Sequence, residues 1–165
     1  MKRHPYTLPL VVVFSLLLAT ASHAAPREVK IAKSGETSLR TVLGGKTIEI
    51  TFHTAIVKKS DPGFPLALDH YDDLSIVQGM SIVVDAKTIG VPWSAYADLF
   101  FTRKGYLEIE KGTFVLTIVG ADGADTYFAH IYFDAKRVIK RDFYSSLVPH
   151  RPLEETVYSP VQVLE

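Results

Sequence analysis

The run TFVLTIV (Thr113–Val119), GADGAD (Gly120–Asp125), TYFAHIYF (Thr126–Phe133), DAK (Asp134–Lys136) and RVIKRDFY (Arg137–Tyr144) decides the fold. The two apolar segments are rich in Val, Ile, Thr, Phe and Tyr, residues that suit a pleated, packed surface. In the first, Phe114, Leu116 and Ile118 share one face; in the second, Tyr127, Ala129, Ile131 and Phe133 oppose Phe128, His130 and Tyr132. Both faces of both segments are largely apolar, whereas a strand wetted on one side alternates with polar residues. They therefore read as central antiparallel strands with something packed on each side. The third segment turns polar at Lys140, Arg141 and Asp142 and reads as half exposed or bulged.

Asp134-Ala135-Lys136 and Asp85-Ala86-Lys87 each sit between strand-like runs. A type I′ turn would put Ala at positive φ, which is costly for a residue with a Cβ. Both are expected to be longer loops on a type I turn, with Asp bonding a backbone amide two residues on.

Upstream, Arg27–Lys33 alternates with Val29 and Ile31 inward. Ser38–Leu43, Gly44-Gly45 and Thr47–Val57 form a hairpin whose second arm places Ile48, Ile50, Phe52, Thr54 and Ile56 on one side. Lys58–Asp73 is a long irregular segment whose apolar residues point to a loop folded back over the sheet. Leu74–Val84 is a strand with a bulge at Gly79; Thr88–Val91 returns. Pro92–Leu99 reads as a short helix opened by proline. Thr156–Val163 is a last strand that Pro160 confines to an edge. Strands spaced this closely, with almost no helix, make the chain all-β, mainly antiparallel: a single-domain β-sandwich or barrel with one short helix near Pro92–Leu99.

Residues 1–24 read as a cleaved export signal: Lys2, Arg3 and His4, the apolar run Leu8–Ala19, and small residues at Ser22 and Ala24. The run is short of the roughly 20 apolar residues a membrane span needs. The rest, 25–165, is a single β domain of 141 residues (165 less 24), long enough for a real core. Losing Lys2 and Arg3 leaves 16 basic residues against 18 acidic, a net −2 from the formal balance of the whole chain. That is no basis for binding nucleic acid or anionic lipid, and no stable membrane anchor is expected after signal cleavage. Lys58-Lys59, Arg103-Lys104 and Arg137/Lys140/Arg141 read as solvated faces. The chain has no cysteine and no asparagine. It must fold without disulfides and carries no N-glycosylation sequon, which fits a periplasmic or otherwise secreted protein.

No catalytic or cofactor motif stands out, and no cofactor is expected. His130, mid-strand between Phe128 and Tyr132, is the weak catalytic candidate, as a general base beside a nearby carboxylate; a partly buried structural imidazole is the plainer alternative. Phe128, His130, Tyr132, Trp93 and Tyr96 are the candidate binding residues: aromatics on both faces of a sheet serve first as core and cover, and can also line an apolar pocket or present a protein-binding patch. Asp69, His70, Asp72 and Asp73 are weak metal candidates: oxygen and imidazole groups on one loop, without the ligand rhythm of a calcium loop. The Gly120–Asp125 loop could contact a cation or a sugar, or simply supply turn geometry. The expected function is an exported, non-catalytic binding or interaction module with a protein or small-molecule partner. The alternatives are a small hydrolase-like or metal-assisted enzyme built on His130, and an apolar-ligand carrier, which requires a closed, hollow barrel.

Overall fold

The computed structural model describes residues 27–159 apart from 63, 66 and 67; residues 1–26, with the expected export signal, and residues 160–165, with the end of the strand expected over Thr156–Val163, lie outside these. Two antiparallel sheets pack face to face. The larger has the order β1 (Arg27–Lys30), β6 (Thr102–Glu110), β7 (Thr113–Gly120), β8 (Tyr127–Phe133), β9 (Val138–Ser145), β10 (Glu154–Val157). The smaller has the order β2 (Gly35–Leu43), β3 (Lys46–Lys58), β4 (Asp73–Val84), β5 (Lys87–Ile89). It is a sandwich and not a closed barrel.

The core is the meeting of the two inner rows. Ile48, Ile50, Phe52, Ile82 and Val84 face Leu107, Leu116, Ile118, Ala129, Ile131 and Phe133, all essentially without solvent contact. Each large side chain so buried contributes about 1.5–3 kcal/mol. Among the described residues the strands do not close into the barrel that an apolar-ligand carrier requires.

The chain leaves the large sheet after β1, builds the small sheet, and returns at β6 alongside β1. Hydroxyls pin that departure. Thr54 Oγ1 donates to the carbonyls of Ala32 (2.9 Å) and Gly35 (3.2 Å), and Ser75 Oγ donates to that of Lys33 (2.6 Å). Carbonyls leaving a strand are thereby satisfied inside a closing sandwich.

Several expectations change in the structure. β7 and β8 are central, but only one face of each is covered by a second layer; among the described residues no strand or helix lies over the other. Val115 and Val119 are nonetheless buried there, at 1% and 7% exposure, between Glu108 and Tyr132 and between Lys104 and Phe128 on the flanking strands. The polar run of β9 is not solvated: Arg141 and Asp142 are each 2% exposed. Arg141 points inward and pairs with Asp98 (2.8 Å) and Glu154 (3.4 Å). A register shift between Tyr132 and Phe133 provides the expected bulge. In β4 the extra residue is Gln78 and not Gly79, since His53 pairs with Gly79 and Thr54 with Val77. Val77 therefore turns into the core, while Ile76 bridges Phe100. The helix expected over Pro92–Leu99 shrinks to one 3-10 turn, Trp93–Ala95, ended where Tyr96 takes φ −143°.

The two Asp-Ala turns diverge. At Asp134, Oδ1 accepts from the amides of Lys136 and Arg137 (2.6 and 2.9 Å), the expected side-chain-to-backbone turn. Asp85 and Ala86 instead form a two-residue type I′ turn, at φ 49° and 63°. The Asp85 carboxylate holds it by accepting from Thr47 N (2.9 Å) and Lys46 Nζ (2.7 Å). That carboxylate is kept below its ordinary pKa by Lys46 and Thr47. Ala86 is then the strained member, and Ala86→Gly is expected to raise stability by about 0.5–1 kcal/mol in urea unfolding with an unchanged m-value.

Candidate functional site

Strict period-two alternation dictates what the uncovered face of the large sheet carries. With Ile131 and Ala129 in the core, Phe128, His130 and Tyr132 must point outward. Pairing then lays one row across all six strands: Glu28, Tyr106, Thr117, His130, Asp142 and Glu155. Beside it run Glu108, Val115, Tyr132 and Lys140, and Lys104, Val119, Phe128 and Tyr144. Of the candidate binding residues, Phe128, His130 and Tyr132 thus share this face. Trp93 and Tyr96 do not: they belong to the 3-10 turn and its end, against the inner side, where Trp93 stands 73% exposed near Arg141.

Charges on this face are closely coupled. Lys140 Nζ donates to Asp142 Oδ2 (2.6 Å) and lies 4.5 Å from the centre of the Tyr132 ring, a cation–π position. Burial opposes the Lys140 charge, but the Asp142 hydrogen bond and charge hold its pKa above the ordinary value. Burial, with Asp142 adding, pushes the Tyr132 hydroxyl up to about 12, and the same causes raise Tyr144. Asp142 Oδ1 is buried with no hydrogen-bond partner among the described residues. A buried acceptor left so costs free energy.

His130 therefore does have a carboxylate facing it across the β8–β9 ladder, but Asp142 is bonded to Lys140 and not to the imidazole. The ring instead lies 4.9 Å from Tyr144 and 6.4 Å from Tyr132, centre to centre. Burial lowers its pKa below 6.5; Asp142, Glu110 and Glu108 oppose this and Lys140 adds to it. Near neutral pH the imidazole is a neutral donor–acceptor. The β9–β10 connection brings Pro149 and His150 against Phe128, His130 and Tyr144, forming a shallow groove of about 290 Å³.

A second concavity lies at one end of the sandwich. Tyr71, from the loop expected to fold back over the sheet, lines a cleft of about 460 Å³ there with Ala121, Asp122 and Asp125 of the Gly120–Asp125 connection. Phe101 and Ala121 form its floor at φ 51° and 55°, and the Ala121 amide donates to the Phe101 carbonyl (3.0 Å). Such conformations cost about 1–2 kcal/mol each for residues with a Cβ. Three contacts hold them. Phe101 N donates to Ser75 O (2.6 Å), the Tyr127 hydroxyl donates to Phe100 O (2.8 Å), and Gly120 leaves room for the Tyr127 ring, which a Cβ would overlap.

The metal candidates Asp69, His70, Asp72 and Asp73 do not converge; no three His, Asp or Glu groups among the described residues are placed to hold an ion. The His70 ring lies 4.1 Å from that of Tyr71, centre to centre, tilted by 44°, and the backbone carbonyls of Asp69 and Asp72 accept from Lys59. Tyr106, Thr117, Lys140, Asp142 and Tyr144 were not singled out from sequence. Their common face follows only once strand pairing is known, although their spacing from core residues carried the signal.

Comparison with protein-family models, with curated proteins and with solved structures finds no match to this chain.

Because His130 titrates below 6.5 in the folded chain, the unfolded chain takes up its proton first as pH falls. Its contribution is flat above about pH 6.5 and turns against the fold as pH drops toward the folded value. His130→Gln is expected to narrow the loss of stability between pH 7 and pH 5, measured by urea unfolding at each pH; an unchanged pH slope would remove this account.

Proposed function

We propose that this chain is an exported, non-catalytic binding module that acts through the uncovered face of its large sheet, against a protein partner. One observation carries the reading: Tyr106, Phe128, His130, Tyr132 and Tyr144 stand half-buried together on a sheet face over which no other described element lies. Tyrosine offers large contact area at low conformational cost and a polar tip, which is why protein interfaces are rich in it. The Lys104, Glu108, Lys140 and Glu155 side chains supply mixed charge that favours one register of docking over others. No helix among the described residues is long and apolar enough to cross a membrane, which is compatible with release after cleavage of residues 1–24.

A second reading, catalysis by His130 with Asp142, is favoured by their facing positions and by the unpartnered Asp142 Oδ1. Among the described residues no hydrogen bond orients the imidazole, and its partner on β7 is Thr117. Binding needs none of these.

Two outcomes test the proposal. Mass spectrometry of the secreted or periplasmic chain should place its first residue at Ala25. A photoreactive residue replacing Tyr132 in the producing cell should give a discrete protein adduct that Lys140→Glu weakens by about tenfold, while the same group at Arg40 on the small sheet gives none. A folded chain that yields no adduct from Tyr132, or equal adducts from both positions, would sink it.

A further inference from the structure

We infer that the cleft at the end of the sandwich is a second binding site, separate from the sheet face, and that its ligand is a short saccharide. The backbone at its floor is the starting point. Phe101 is held in the left-handed region by bonds on both sides, from its own amide to Ser75 and from the Ala121 amide to its carbonyl. The result is an aromatic ring set 4.9 Å from Tyr71, centre to centre, in the lining of the cleft. Strain of this kind is retained where the surroundings over-determine it, and it clusters at ligand sites.

The rim sets the ligand's chemistry. Lys33 and Arg103 are donors, Asp122 and Asp125 acceptors, and all four line the cleft. Two positive and two negative side chains give no net charge, so the rim does not select an anion. Arg103 already bonds Asp122 (2.8 Å) and is braced by it. The amide of Gly123, with Arg103 beside it, holds the Asp122 carboxyl below its ordinary pKa, so it accepts at neutral pH. Hydroxyl groups, which donate and accept at once, match such an alternating rim. The aromatic floor suits the apolar C–H face of a sugar ring. A planar base is a poorer fit, because Tyr71 and Phe101 are tilted by 57° and form no parallel slot. A neighbouring hollow of about 380 Å³ shares Tyr71, Phe101, Ala121 and Asp125, leaving room for more than one sugar unit.

The test titrates the mature chain with maltose, cellobiose and N-acetylglucosamine, and in separate arms with octanoate and adenosine, read by backbone amide NMR shifts. At least one saccharide should saturate at or below about 10 mM, with shifts centred on Phe101, Ala121 and Asp125. Asp125→Asn, at an exposed position, should weaken that binding by about tenfold with an unaltered Tm. Phe101→Gly should do the same and keep the fold, since relieved strain offsets lost packing; if it unfolds, Asp125→Asn still decides. Absence of saturation by all three saccharides, stronger binding of octanoate or adenosine at the same amides, or shifts centred on His130 and Tyr132 would each overturn the assignment.

Discussion

The packing of Leu116, Ile118, Ala129, Ile131 and Phe133 against Ile48, Ile50, Phe52, Ile82 and Val84 is the constraint from which the rest follows. Successive side chains of a strand point to opposite faces, so fixing this inner row fixes the outer one without further choice. A slip of one residue in β8 would bury His130 and expose Ile131. The aromatic face of the large sheet is therefore a by-product of core burial in position and a separate matter in composition: the core demands that residues 128, 130 and 132 point outward, but not that they be aromatic.

Two features at the chain's return interrupt this regularity. Every described ladder but one joins strands consecutive in sequence; the exception, β1 with β6, brings Arg27–Lys30 beside Lys104–Leu107. Where the chain re-enters the large sheet, the bulge at Gln78 turns β4, and Leu99, Phe100 and Phe101 are stitched to Val77, Ile76 and Ser75 before β6 begins. This stitching produces the left-handed Phe101 and opens the cleft between the Lys58–Asp73 loop and the Gly120–Asp125 connection. The end of the sandwich is where strands run out of partners and backbone groups are satisfied singly, which leaves space between loops that a continuous ladder would fill.

Burial of charge in β9 follows from the same geometry on two sides of one strand. Arg141 inward meets Asp98 and Glu154; Asp142 outward meets Lys140. Both are nearly inaccessible, and each retains an atom with no partner among the described residues, Arg141 Nε and Asp142 Oδ1. Buried pairs contribute little net stability but strongly penalise loss of one partner. β9 is thus held in register by polar contacts on both faces, next to an edge strand with little apolar burial of its own.

Periodicity and turn residues in the sequence were enough for the all-β class, the Gly44-Gly45 hairpin, the central place of β7 and β8 and the edge position of β10, because each is a local consequence of which residues alternate and where the backbone must bend. They were not enough for the sandwich itself, for the open outer face, or for Asp85-Ala86, where a carboxylate bonded to Lys46 and Thr47 across the hairpin overrides the local cost of positive φ. Nor could they separate Trp93 and Tyr96 from His130, or bury Arg141, since aromatic and charged residues look alike on paper whether a second layer covers them or not. Which sheet packs on which face is a relation between segments tens of residues apart, and tertiary packing alone decides it.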